Sequence, residues 1–335
     1  MSIAEDGLSP SDFAATAERA VAACASLDVA ARGKRLAGDG LLGVLAAPEV
    51  GGLGLPLAFA VPVVAAAEAE LLAFPLMESM LVARHAAVET VVNGSAVATI
   101  AWNGKVDATS RGSAIELYGV VGAVPAAEAA DLLLIRIDQD RVALVDMRTT
   151  GVALEGAPGI DLTVPSHVAR LDGVTIEPEA LLATGSWQAL QADACLLRAA
   201  AIMGGAERCL ALASEHAVQR RQFGHALCYN QAIRHALARH KLVLEGIRHS
   251  LARCLALGPN ASDIQRKAVF LAAAAGGVGI AEGALQVFGA MGFTWGMPLH
   301  RHIRRIRSLQ AQGSEQGLAA LGRQLIAEVP AALHG

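Results

Sequence analysis

Charge is scarce in this sequence. Only 17% of its 335 residues are Asp, Glu, Lys or Arg, against 54% hydrophobic residues, a balance that argues against disorder and allows a large buried core. Aromatic residues are also few, at 4%. The apolar mass is therefore mostly Ala, Leu and Val, and the first two are strong helix formers. A basic tail is missing: net charge is −4, and the one dense basic run is His300–Arg307 (HRHIRRIR). Nucleic-acid binding is not expected from such a pattern. The five cysteines (Cys24, Cys195, Cys209, Cys228 and Cys254) are scattered, without a CxxC pair, which predicts reduced, mostly buried thiols in a cytoplasmic protein. No HExxH or Cys/His cluster suggests a metal site, and Ser214 and Ser308 have no His/Asp arrangement or nucleophile elbow.

Long apolar runs are missing too. Gly52–Ala67 is broken by Pro56 and Pro62, and Phe270–Ala281 contains Gly276, Gly277 and Gly279. Neither reaches the roughly 18–20 uninterrupted residues of a spanning helix, so no membrane span is expected. The N-terminal MSIAEDGLSPSDF is acidic and polar, unlike a signal or transit peptide.

What is present divides into three parts. Ser9-Pro10-Ser11-Asp12 reads as a helix start, and further helical periods cover Val29–Leu36, Leu57–Leu72 and Met77–Val92. Between them, Ala47–Pro56 reads as a loop, since its glycines and prolines break both periods. From Val97 to Glu179 the pattern changes to short β-branched runs bounded by Gly, Asp or Asn, which predicts a compact antiparallel domain. Asp138-Gln139-Asp140 reads as a tight hairpin. Helical period then returns over Trp187–Arg221, Gln231–Leu257, Asp263–Phe288 and Pro298–Gln310, with a last helix after Ser314. Such a succession predicts an up-down bundle with short loops. The expected domains are residues 1–94 (helical), 95–184 (β) and 185–335 (helical bundle).

Three stretches, in this order and spacing, resemble the acyl-CoA dehydrogenase family. They are PEVGGLGL at Pro48–Leu55, Arg220-Arg221-Gln222-Phe223-Gly224 followed by Gln231, and Gln286–Trp295 (QVFGAMGFTW) leading into a basic helix with Arg301 and Arg304. The resemblance covers nearly the whole chain. It implies a mainly α fold with a central β-domain: an N-terminal helical domain, a small β-barrel or sandwich and a C-terminal four-helix bundle. It also implies FAD as cofactor, an acyl-CoA substrate, an electron-transfer flavoprotein or similar acceptor, and a homo- or hetero-oligomer, because in the family the second and third motifs reach the flavin of a neighbouring subunit.

Carried over residue by residue, the likeness assigns cofactor contact to Arg220, Gln222, Phe223, Gln286, Gly289, Ala290 and Gly292. The chemistry suits a dinucleotide: a guanidinium and close backbone amides for a pyrophosphate, a flat ring for the cofactor, and small residues that let backbone approach. Taken singly, Arg220–Arg221 reads as a solvated helix end, and Gly289 and Gly292 as a helix stop and turn.

The family's base is a glutamate just before a Gly-Ser/Thr pair after the last basic helix. Here Gln312 stands there, before Gly313-Ser314, and an amide cannot accept the proton. Glu315, three residues on, is a weak candidate that also reads as an exposed carboxylate at a helix start. Some members place the base on the first long bundle helix before an arginine, where this chain has Leu197 beside Arg198. Gly296 replaces a common glutamate, and Trp102-Asn103-Gly104 sits where a longer isoalloxazine-holding loop is expected. The shortened N-terminal domain and abbreviated β-domain resemble the small subunits of two-gene acyl-CoA dehydrogenases that act on sterol side chains or similar bulky CoA esters. The expected activity is FAD-dependent α,β-dehydrogenation of an acyl-CoA, alone or as a subunit. The alternatives are a catalytically silent subunit that completes a partner's flavin site and a stand-alone flavoenzyme of related fold doing a different oxidation.

Overall fold

The computed structural model describes residues 7–138, 140–157, 159–222, 224–313 and 317–327. Two compact units divide the chain, residues 1–194 and 195–335.

The first unit opens with α1 (Asp12–Ala23) and α2 (Val29–Gly38). At α1 the expected serine cap is not made. The Asp12 carboxylate instead accepts from the Ser9 amide at 2.7 Å. Asp28 does cap α2, accepting from the Ala31 amide at 2.8 Å. The expected helix over Leu57–Leu72 narrows to a 3-10 turn and α3 (Ala60–Ala69). Pro62 is tolerated there because first-turn amides have no intrahelical partner. The expected helix over Met77–Val92 is two helices, α4 (Leu76–Ala86) and α5 (Glu89–Val92), separated where Ala87 turns left-handed at φ 50°. The last turn of α4 is tied down by its basic side chains. Asp193 accepts from Arg84 at 2.8 Å and from His85 at 3.1 Å. Burial pushes that carboxyl up, but the His85 hydrogen bond and the Arg84 charge outweigh it and leave it below the usual range.

The glycines of Pro48–Leu55 are used for close packing. The loop is zipped onto the preceding strand of coil by Leu53 N–H to Gly43 O (2.8 Å) and Gly54 N–H to Ala46 O (2.8 Å). A Cβ on Gly52 would overlap the Ala46 carbonyl.

Seven strands follow: β1 (Ala98–Ile100), β2 (Asn103–Arg111), β3 (Ala114–Pro125), β4 (Leu132–Arg136), β5 (Val142–Asp146), β6 (Val152–Gly156) and β7 (Ser166–Ile176). They form a three-stranded sheet, β1-β4-β5, and a four-stranded sheet, β2-β3-β7-β6. Leu117, Val121, Leu171 and Val174 from one sheet share a core with Leu133, Ile135 and Val145 from the other. The expected all-antiparallel pairing is corrected at one place: β1 runs parallel to β4. The β2–β3 hairpin, built into the other sheet, intervenes between them and returns the chain to β1's starting end. β4 and β5 pair antiparallel around residues 138–140, with Gln139 outside the described residues.

The long α6 (Ser186–Gln219) begins in the first unit and carries the chain into the second. A two-stranded ribbon follows, β8 (Arg221–Gln222) and β9 (His225–Ala226), and then α7 (Gln231–Leu257), α8 (Asp263–Phe288), α9 (Leu299–Gln312) and α10 (Leu318–Ala327). A reciprocal cap starts α8: Ser262 Oγ accepts from the Gln265 amide and the Gln265 side chain accepts from the Ser262 amide.

The segment Asp263–Phe293 is long and apolar enough to cross a membrane by length and composition, which the sequence reading did not anticipate. In the folded unit 56% of its apolar stretch is buried, as befits a core helix. Its glycines admit the neighbours. A Cβ on Gly277 would overlap Ile202 of α6, and one on Gly283 would overlap His240 of α7. On α9, His302 is 2% exposed, and its Nδ1 has no hydrogen-bond partner.

Two predictions follow from this packing. Replacing Gly52 by Ala forces a Cβ against backbone that cannot rotate away, so Gly52→Ala should lower unfolding free energy by about 1–3 kcal/mol. An unchanged melting temperature would show that the loop can relax. Burial, with the Arg305 and Arg208 charges, lowers His302 from 6.5 to about 4. Between those two pH values the unfolded chain holds a proton that the folded chain rejects, so stability rises with pH. The loss on going from pH 7 to below 4 should reach about 3 kcal/mol. Urea midpoints measured across that window should slope for the wild type and flatten for His302→Leu.

Candidate functional site

At the C-terminal end of α6 the backbone continues one step past the helix. The Arg220 amide donates to the His216 carbonyl at 2.8 Å, and the Leu227 amide closes back on the Arg220 carbonyl at 2.9 Å. This ties down the β8–β9 ribbon, whose turn uses Gly224 at φ 85°. Arg220, Arg221 and Gln222 are exposed on it. Phe223 lies outside the described residues. Arg220 has no carboxylate partner among the described residues, which leaves its guanidinium open to a ligand.

The same end of the second unit carries the Gln286–Gly292 segment. The His216 ring lies on the Phe288 ring, with centroids 4.1 Å apart and planes 15° from parallel. Phe288 ends α8, and Gly289 leaves it at φ 61°, ψ −142°, a conformation essentially reserved for glycine. Gln286, Gly289 and Ala290 are exposed, and a Cβ on Gly289 would meet nothing within 4 Å. Backbone there is open to a ligand. Gly292 differs: it is buried, and a Cβ on it would come 2.8 Å from Leu285 and 3.1 Å from Phe288, so its missing side chain serves the turn. A guanidinium, two carboxamides and open glycine backbone at one end of a bundle are a donor set that fits a dinucleotide pyrophosphate.

Three exposed apolar side chains border this turn: Met291, Phe293 and Trp295. Arg304 stands over the Trp295 ring at 5.5 Å, and His300 meets it edge-on at 4.8 Å. Sequence reasoning quoted Trp295 in a motif without giving it a part. It missed His216 altogether, though a ring four residues before Arg220 falls on the same helix face.

Gln312 is elsewhere. It is the last residue of α9, where its Oε1 is buried with no hydrogen-bond partner among the described residues. The following Gly313 lies against Phe270, with no room for a Cβ. Phe270 is in the second turn of α8 and Phe288 at its end, so eighteen residues separate them, about 27 Å along the axis. The Gln312 position and the Arg220–Gln286 end are therefore at opposite ends of α8. Leu197 and Arg198 are wholly buried in α6. Glu315 lies outside the described residues. In the first unit, Trp102 is buried and donates to Glu78 Oε1 at 3.1 Å, so its indole is committed to the core.

Residues 193–327 match the model of the acyl-CoA dehydrogenase C-terminal domain. The acyl-CoA dehydrogenase FadE27 of Mycobacterium tuberculosis is 27% identical over 333 residues, covering 89% of this chain and 88% of the relative. The fold is that of the ChsE4-ChsE5 complex from Mycobacterium tuberculosis, with a TM-score of 0.87, 24% identity, and 96% and 98% of the two chains covered. A glutaryl-CoA dehydrogenase from Mycobacterium smegmatis in complex with FADH2 superposes with a TM-score of 0.85 at 18% identity, over 96% and 95% of the chains. The helix–strand–helix order and these matches agree: residues 193–327 match an acyl-CoA dehydrogenase C-terminal domain, and the chain as a whole has the acyl-CoA dehydrogenase fold.

Proposed function

We propose that this chain is a subunit of an FAD-dependent acyl-CoA dehydrogenase and contributes to two cofactor pockets, one at each end of α8. The observation that carries this reading is the separation along α8. About 27 Å lies between the Gln312 end and the Arg220–Gln286 end, more than one reaction centre spans. Each end then needs surface from another chain. A two-chain complex among the structural relatives supports such an arrangement.

Within this reading the Arg220 guanidinium binds pyrophosphate oxygens, and Gln222 and Gln286 add amide hydrogen bonds beside the open backbone of Gly289 and Ala290. When bound, the flavin supplies the acceptor for the hydride that leaves the β-carbon of a CoA thioester. The α-proton needs a base, and Gln312 offers an amide that cannot take it. A carboxylate from a partner chain, or Glu315, fills that part. The electrons leave to an electron-transfer flavoprotein or similar acceptor. A cytoplasmic location accords with five free cysteines, of which Cys195 and Cys209 are pushed up to about 12 by burial and stay thiols.

A second reading is favoured by Gln312 and Leu197 together. With an amide at one base position and a buried leucine at the other, the chain is a silent subunit that completes a partner's flavin site through Arg220 and Gln286–Gly292. The visible absorption spectrum separates the readings. Flavin bands in the purified chain alone mean that copies of this chain build a whole site. Colour only with a co-expressed dehydrogenase subunit means a half-site, and no colour in either case sinks the flavin assignment.

Two variants refine the test. Arg220→Ala should weaken FAD binding by the worth of a charge-assisted hydrogen bond, about 1.5–3 kcal/mol. Full flavin retention in a folded variant would remove Arg220 from the site. Gln312→Glu should raise acyl-CoA oxidation, because a carboxyl buried as Gln312 Oε1 is would have a raised pKa suited to a general base. Turnover unchanged from wild type would mean that the base enters from another residue or chain.

A further inference from the structure

The stack of His216 on Phe288 stands apart from the other ring contacts. Among the described residues, Phe13–Phe59, His225–Tyr229 and Trp295–His300 all meet edge-on, at 84°, 66° and 83°. The His216 and Phe288 planes are 15° from parallel. Burial, and then the Arg220 charge, lower the His216 pKa, so the ring is neutral at neutral pH and can lie flat on an apolar partner.

The positions of the two rings matter more than their energy. His216 is the residue whose carbonyl holds the Arg220 amide. Phe288 stands between Gln286 and Gly289 and is the last residue of α8. Further up, α6 and α8 are in close contact, with Gly277 against Ile202 and Ala206. Toward the open end the two helices meet through the stacked rings, whose centroids are 4.1 Å apart.

We propose that His216 is the positioning residue of this end: its ring, stacked on Phe288, registers Arg220 against the Gln286–Gly292 turn so that both address one pyrophosphate. This rests on the flavin reading given above. His216 does not touch the cofactor. It fixes the distance between two elements that do, and loss of the ring frees each to move on its own helix end. The helices themselves stay docked through Gly277, packed against Ile202 and Ala206, so a variant at 216 keeps its fold.

The experiment compares wild type, His216→Ala and His216→Phe by amide hydrogen exchange of the flavin-free chain and by FAD titration, followed by flavin fluorescence. His216→Ala should speed exchange in the segments around 220–231 and 289–298 and weaken FAD binding about three- to tenfold, the worth of one aromatic stack. His216→Phe, which keeps a flat ring, should restore both. Wild-type exchange and affinity in His216→Ala overturn the proposal. So does a His216→Phe variant as impaired as the alanine, since that would assign the effect to a ring nitrogen. A wild-type chain that takes up no FAD, with or without a partner subunit, overturns the flavin reading and with it the cofactor role. The exchange rates, measured without flavin, tell that failure from failure of the stack.

Discussion

Helix α8 can be buried by α6, α7 and α9 only because side chains are missing from it at particular places. Gly276 and Gly283 receive Val243, Ile247 and His240 from α7, and Gly277 receives Ile202 from α6. Gly313, just past α9, closes on Phe270 in the same way. Glycine inside a helix costs roughly 0.5–1 kcal/mol each against alanine, and burial of the facing Ile side chains offsets it. The rest of the unit is arranged around this rod. Its length sets how far apart the two functional ends lie, and its close-packed middle leaves those ends to be shaped by turns and side-chain contacts.

The limits of α7 and α8 were legible in the sequence because cap, period and stop agree there. Ser262 and Gln265 make the reciprocal cap that opens α8, and Gly289 ends it. Where local signals were mute, the reading failed. Nothing in Met77–Val92 announces a left-handed Ala87, which follows from tertiary bonds of Arg84 and His85 to Asp193, more than a hundred residues away. The parallel pairing of β1 with β4 was likewise hidden, since strand patterns report burial and not direction.

The site was half legible. Motif order brought out Arg220, Gln222 and Gln286–Gly292, and the His216–Phe288 stack joins the two helix ends from which these segments leave. What the motifs could not say is that glycines in one segment have different employment. Gly289 leaves backbone open to a ligand, while Gly292 makes room for Leu285 and Phe288. The same holds in the first unit, where the PEVGGLGL glycines let one stretch of coil lie on another. A glycine motif states that a side chain is excluded. Only the fold says whether protein or ligand excludes it.

The two ends of α8 also differ in chemical character. One end is exposed and rich in donors, with a guanidinium lacking a carboxylate partner among the described residues. The other holds an amide oxygen buried without a partner among the described residues, a condition that costs about 1–3 kcal/mol where no donor is supplied. Among the described residues neither end has its partner. An unpaired cation in water costs little, so the Arg220 end is stable while it waits. The buried Gln312 oxygen is the costlier of the two, because water cannot replace a missing donor there.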